Sequence, residues 1–422
     1  MPNDMQFRSE AIDTERSSRI RHSLGAAGLG AVVCSLPSNV LLLTGYWPVV
    51  GESIAIFVRD GPIILLVPED ELELAEQSFA DSVETFVPET LHTMTAVCEA
   101  VKPRLADIFR KLKLQAGSIG VDSGACSEAA SYVAVHLYGN ELSNMLRDLL
   151  PNSTLTPVEE WIQELKAIKT TFEVARIREA CAIARAAYER AAPQLHAGMT
   201  EPEAAELLRA PLSNASVPGL PIQRRSGFAF CMSGPNSAKG SAAYARTRSR
   251  TLQPTDLVMM HCNSYVDGFW TDITRTYTLE PPDEQQRRMY DAVHAARTAA
   301  LSAIKPNVRA QDVDSASRKV VRDFGLGACL RHGTGHGVGF SPMSAYSVPR
   351  LHAESRDVLQ EGMVFNVEPA VYIEGYGGVR HCDMVLVTPS GYELMTAFQS
   401  DLQSFVLPSG ESGRETRARV AL

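Results

Sequence analysis

The sequence lacks a long apolar run, a block of basic residues, paired cysteines and any internal repeat. Its longest apolar stretches, such as Ile63–Val67 between Pro62 and Pro68, are strand-sized. A membrane span needs roughly 18 such residues or more. The N-terminus Met1-Pro2-Asn3-Asp4 is polar, without the basic and then apolar order of a secretory signal. Forty basic against 49 acidic side chains give a formal charge of −9, which disfavours nucleic acid. Eight cysteines stand at 34, 98, 126, 181, 231, 262, 329 and 382 with no CxxC pair. That spacing excludes a zinc ribbon or a redox dithiol. The expectation is a soluble cytoplasmic protein with reduced thiols, most of them buried as small hydrophobes.

The 422 residues are 45% apolar, enough to build two domains without staples. Ile54–Val58 and Ile63–Val67 flank Asp60-Gly61, a hairpin signal. Helical spacing over 91–112 and a short strand at Ile119–Val121 complete an α/β unit. From Pro157 to Tyr188 the apolar spacing predicts one long helical segment carrying the domain boundary. A Pro/Gly-rich loop at Val217–Pro221 opens the second half. A helix is predicted over 284–304, stopped by Lys305-Pro306-Asn307. Strands are predicted at 256–263, 269–277, 363–373 and 379–388. The expected domains are 1–165 and 166–408, with a loose tail at 409–422.

Four segments of the second half carry chemistry. Asp256–Asn263 and Phe269–Thr276, joined by Val266-Asp267-Gly268, read as a hairpin that brings His261 near Asp272. His332-Gly333-Thr334-Gly335-His336-Gly337 places two imidazoles in a loop whose backbone can approach a ligand closely. The last two are Glu361–Pro369 and Gly377–Asp383, with Glu368, Arg380 and Cys382. A strand histidine alone is more often a satisfied core residue than a ligand. The four segments together point to a site.

Thr271-Asp272-Ile273-Thr274-Arg275-Thr276, His332–Gly337, Glu368-Pro369 and Gly378-Val379-Arg380 resemble signatures of the creatinase, prolidase and aminopeptidase P family. Pro37-Ser38-Asn39 and Leu43-Thr44-Gly45-Tyr46 resemble its N-terminal domain, so the likeness spans residues 17–400. The resemblance implies an α/β N-terminal domain plus an α+β pita-bread C-terminal catalytic domain. It also implies a homodimer, a dipeptide or other small-molecule substrate, and two divalent metals on five ligands.

The ligand positions are 261, 272, 336, 368 and 382. Asp272, His336 and Glu368 match the family pattern. His261 stands where an Asp is expected, and Cys382 where a bridging Glu is expected. The family also places a histidine at Ser241 and another at Met343. His332, Glu368 and Arg380 remain as candidate catalytic residues. Arg275 reads as a structural ion pair.

Imidazole and thiolate suit Zn²⁺, Fe²⁺ or copper better than Mn²⁺. The expectation is therefore one divalent transition metal on His261, Asp272, His336, Glu368 and Cys382, rather than a Mn pair. The alternative is no metal and a hydrogen-bonded polar cluster. The functional expectation is a metal-dependent enzyme acting on a C–N bond in a small amino-acid-like or dipeptide substrate. The alternatives are a Xaa-Pro aminopeptidase or dipeptidase, and a silent binding protein on the same fold.

Overall fold

The computed structural model describes residues 4–48, 53–87, 89–90, 93–94, 97–114, 116–122, 141–214, 222–241, 247–342 and 347–407. Met343, the Val217–Pro221 loop and the 409–422 tail lie outside them. The chain divides into two compact units, Met1–Lys166 and Ala167–Leu422. Among the described residues, no helix is long and apolar enough to cross a membrane.

The first unit is a six-stranded mixed sheet of β1 (Ala31–Cys34), β2 (Ile54–Val58), β3 (Ile63–Pro68), β4 (Ser82–Phe86), β5 (Ala116–Val121) and β6 (Asn152–Pro157), in the order β4-β3-β2-β1-β5-β6. The Asp60-Gly61 hairpin forms, pairing Ile54 with Leu66. Arg21 Nη1 donates to the carbonyls of Val58, Arg59 and Gly61 and so ties down the tip. Helix α1 (Val97–Leu112) lays Val101, Leu105, Ile108 and Phe109 against Val33, Ile56 and Leu66.

The second unit opens with helix α2 (Thr171–Ala191). The helix predicted over 157–188 is in fact two, broken at Ile168-Lys169-Thr170. Thr170 and Glu173 form a reciprocal capping box, while Lys169 N–H leaves the helix to donate to Gly362 O at 2.9 Å. Helix α3 (Glu201–Asn214) follows. Strands β7 (Arg225–Ser233), β8 (Leu257–Val266), β9 (Phe269–Trp270) and β10 (Ile273–Thr278) form one sheet, with β8 pairing the other three. The β8–β9 turn has Asp267 at φ 47° and Gly268 at φ 87°, the double left-handed pair of a tight hairpin.

Helix α4 (Glu284–Ala303) starts at an Asp283–Gln286 capping box. It lays Met289, Val293 and Ala296 on Leu257, Val371 and Val379, and Ala300 in the core with Phe365 and Val385. Helix α5 (Ala310–Asp323) follows. The remaining strands are β11 (Gly335–His336), β12 (Arg350–Leu351), β13 (Val364–Val367), β14 (Ala370–Ile373), β15 (Gly377–Arg380), β16 (Asp383–Thr388) and β17 (Gly391–Leu394). They pair as β11-β12, β13-β16-β17 and β14-β15.

Three predicted strands are split. The gaps fall at Thr271-Asp272, at Glu368-Pro369 and at His381-Cys382. Pro369 has no N–H to continue a ladder, and Glu368 N–H donates instead to Thr334 O at 2.7 Å. Cys382 makes a lone bridge with Thr274, which joins β10 to the β13-β16-β17 sheet.

That junction encloses a buried charge cluster. Arg275 Nη2 contacts Asp383 Oδ1 at 2.7 Å, and Arg297 Nε contacts its other oxygen. Burial pushes the Asp383 carboxyl up, but Arg275, His381 and Arg297 outweigh it and hold it well below the usual carboxylate range. Arg275 also donates to Cys382 O at 2.7 Å and to Phe398 O at 3.1 Å. It is structural. Replacing Asp383 with Ala leaves two guanidiniums buried without their carboxylate, so Asp383→Ala is expected to cost about 3–5 kcal/mol in urea unfolding. A loss below about 1 kcal/mol contradicts this account.

Candidate metal centre

Each candidate donor sits at a defect in regular structure. Asp272 follows the end of β9, Glu368 fills the gap after β13, and Cys382 bridges β15 to β16. His336 lies on the two-residue strand β11. Its flanking glycines are required by contact. A Cβ on Gly335 would stand 2.0 Å from Asn366 O, and one on Gly337 2.3 Å from Val348 O. Asp314 holds the loop from outside, accepting from Thr334 N and Oγ1 at 3.0 and 2.7 Å.

Asp272, Glu368 and Cys382 each bring one ligand atom within 4.8 Å of the others. His336 Nε2 is 3.5 Å from Asp272 Oδ2 and 3.9 Å from Glu368 Oε1. Cys382 Sγ faces Asp272 O at 3.1 Å and Asp272 Oδ1 at 3.5 Å. Asn366 Nδ2 reaches both Cys382 Sγ, at 3.5 Å, and His336 Nε2, at 3.3 Å.

His261 faces a different set. Its Nδ1 is 3.7 Å from Asp272 Oδ1, yet that nitrogen accepts from Thr274 Oγ1 at 2.9 Å. Its Nε2–H donates to Asn263 Oδ1 at 3.1 Å. Arg380 Nε donates to Thr274 Oγ1 at 3.1 Å, and Arg380 Nη2 lies 3.3 Å from His261 Nδ1. Both ring nitrogens thus serve a hydrogen-bond chain that starts at Arg380. His332 is held similarly. Its Nδ1–H donates to Gly333 O at 2.7 Å, and its Nε2 accepts from Tyr372 OH at 3.0 Å. Tyr372 OH in turn accepts from Arg380 Nη1 at 3.4 Å.

Electrostatics divide the imidazoles. Burial lowers His261 to about 4, and Arg380 adds to this against the pull of Asp272. Burial also lowers His332. Burial pushes His336 down too, but its bond to Asp272 and the Glu368 carboxylate outweigh that and raise it. Burial pushes Asp272 up, yet His261, His336 and Arg380 hold it below its ordinary value. Burial, then Asp272 and Glu368, push the Cys382 thiol well up. Cys382 is a thiol in this environment, and a cation among these donors is what converts it to a ligating thiolate. Two carboxylates and one thiol gathered in this way could hold one divalent ion, with the His336 imidazole beside the two carboxylates.

The seven candidate residues therefore fall into two groups around Asp272. Glu368, Cys382 and His336 surround its carboxylate, while His261, Arg380 and His332 form the polar chain beside it. Asn366, Thr274, Asn263 and Tyr372 were absent from the sequence expectation. Asn263 had a visible signal, since it lies two residues from His261 on the same face of β8.

Residues 175–389 match the model of metallopeptidase family M24, and residues 16–168 match the creatinase/prolidase N-terminal domain. The Xaa-Pro dipeptidase of Pyrococcus furiosus is 27% identical over 390 residues, 92% of this chain and 99% of that protein. A dipeptidase structure from Pyrococcus horikoshii superposes with TM-score 0.73 at 25% identity, covering 93% of this chain and 100% of that one. A prolidase structure from Thermococcus sibiricus gives TM-score 0.74 at 22% identity, covering 91% of this chain and 96% of that one. With both domain models matched along its length, this chain belongs to metallopeptidase family M24, a creatinase/prolidase N-terminal domain preceding a pita-bread catalytic domain.

Proposed function

We propose that the protein hydrolyses the peptide bond of Xaa-Pro-type dipeptides with a single divalent ion held by Asp272, His336, Glu368 and Cys382. The observation that carries this reading is the gathering of Asp272, Glu368 and Cys382 donor atoms within 4.8 Å of one another. The Xaa-Pro dipeptidase relatives favour a peptide bond over the wider class of C–N bonds in amino-acid-like compounds. They also favour catalysis over a silent binding role.

When bound, such an ion supplies Lewis-acid polarisation of the scissile carbonyl and a water of lowered pKa. The chain's own residues do the rest. Glu368, holding the ion through one carboxylate oxygen, would take and return the proton at the other. His332 is fixed with its Nε2 as an acceptor, so the mobile hydrogen of that pair belongs to Tyr372, with Arg380 behind it. Tyr372, turning its O–H from His332 Nε2 to the substrate, would stabilise the charge that develops on the carbonyl oxygen.

A single ion is favoured over the family's pair by charge. Position 261 supplies a neutral imidazole rather than a carboxylate, and the Arg380 guanidinium sits 3.3 Å from it. A permanent cation there repels a second dication.

Metal analysis after loading with Zn²⁺, Fe²⁺ or Mn²⁺ is expected to give one ion per chain. Cys382→Ser and His336→Ala should each weaken binding at least tenfold, and His261→Asp combined with Cys382→Glu should admit a second Mn²⁺. Two Mn²⁺ bound by the unaltered protein would sink the single-ion reading. With Zn²⁺, Co²⁺ or Mn²⁺ present, Xaa-Pro dipeptides should be hydrolysed, and Glu368→Gln should lower kcat by roughly 10²–10⁴-fold. Absence of turnover with all three ions counts against hydrolysis.

A further inference from the structure

The sheet face that carries His261 and Asn263 does not end with them. Residues two apart on a strand share a face, so Tyr265 continues that row on β8. On β7, Phe230 pairs with His261 and Phe228 with Asn263. On β9, Trp270 pairs with Tyr265. The aromatic rings are in register as well as the backbones. Phe230 stacks on the His261 ring at 6.0 Å and 18°. Phe228 stacks on Trp270 at 5.9 Å and 8°, and Trp270 meets Tyr265 at 4.7 Å.

Exposure rises along this row. His261 and Asn263 are buried, Phe230, Tyr265 and Trp270 are half-buried, and Phe228 is 55% exposed. The opposite face of the same strands behaves as ordinary core. Cys231 and Cys262 are buried there, and Ser264 Oγ donates to Ala180 O on α2 at 2.9 Å. A continuous aromatic surface that opens to solvent at one end and reaches the candidate metal centre at the other suits a ligand group rather than the core.

We infer that Phe228, Trp270 and Tyr265 form a platform that binds an aromatic side chain of the substrate. The occupant follows from continuity and shape. The platform is on the same sheet face as His261 and Asn263, within two register positions of them. Phe228, 55% exposed and nearly parallel to Trp270, offers a flat surface to a further ring. The inference rests on the dipeptidase reading for its substrate and deepens it, naming dipeptides with an aromatic residue as the favoured class.

Phe-Pro and Ala-Pro are compared as substrates of the full chain and of Phe228→Ala and Trp270→Ala. The ratio of kcat/KM for Phe-Pro to that for Ala-Pro is expected to drop roughly five- to tenfold in each variant, through the KM for Phe-Pro. A merely structural role would damage both substrates alike, and an unchanged ratio overturns the platform. Should neither dipeptide be cleaved, binding still decides. Trp270 is one of three tryptophans. Phe-Pro should change the emission saturably at lower concentration than Ala-Pro, and Trp270→Phe should abolish that change. Selective binding without cleavage removes only the hydrolase reading. Equal binding of the two dipeptides, or none, overturns the platform itself.

Discussion

The Asp383 carboxylate, buried between Arg275 and Arg297, is the contact on which the rest of the catalytic unit hangs. It ties together three elements, since Arg275 comes from β10, Asp383 from β16 and Arg297 from α4. Two of the candidate donors are close to it in sequence. Asp272 is three residues before Arg275, and Cys382 is the residue before Asp383. Arg275 also accepts responsibility for the backbone of the site, because its Nη1 binds Cys382 O and Thr274 O. Two guanidiniums around one carboxylate are costly to bury and more costly to disrupt. That cost fixes the meeting point of β10 and β16, and with it the separation of the Asp272 and Cys382 side chains.

The site is assembled from interruptions. A regular strand sends alternate side chains to opposite faces, which spaces the groups on one face too widely for a single cluster. Breaking the strands at Asp272, Glu368 and Cys382 turns these residues towards one point. The backbone groups released by each break are taken up locally. Glu368 N–H goes to Thr334 O, and Cys382 pairs with Thr274. The glycines around His336 let that loop lie directly on Asn366 and Val348. The loop, the breaks and the charge cluster are thus one construction.

This explains which parts were legible in the sequence. The Asp60-Gly61 and Asp267-Gly268 hairpins and the 284–304 helix were readable because each depends on neighbouring residues only. The Thr170–Glu173 box was equally local, but its T-x-x-E spacing, the mark of a helix start, went unread inside the segment predicted as one helix over 157–188. The strand breaks were not readable as breaks, apart from the warning of Pro369, because their hydrogen-bond partners lie elsewhere in the chain. The candidate donors were visible through the family resemblance. Their division into a donor cluster and an Arg380 chain was not, since the choice between Asp272 and Thr274 as a partner for His261 is a matter of three-dimensional distance.

The two unexpected residues at 261 and 382 make sense as one electrostatic change. Arg380 is a fixed positive charge inside a buried site. Beside a carboxylate at 261 it would have an anionic partner. Here it has a neutral imidazole, and Thr274 and Tyr372 share its remaining donors. At 382 a thiol replaces the second carboxylate, and Asn366 Nδ2 approaches its sulfur. The centre is left with the carboxylates of Asp272 and Glu368 against the guanidinium of Arg380. A pair of dications side by side demands more negative charge than this to offset their repulsion at short range and low dielectric. A single ion demands less, and Cys382 can contribute one further negative charge by losing its proton. Both substitutions reduce the charge of the same small volume, and both leave polar, ligand-capable side chains in place. Together they are the electrostatic ground on which a centre holding one ion, rather than a pair, is proposed.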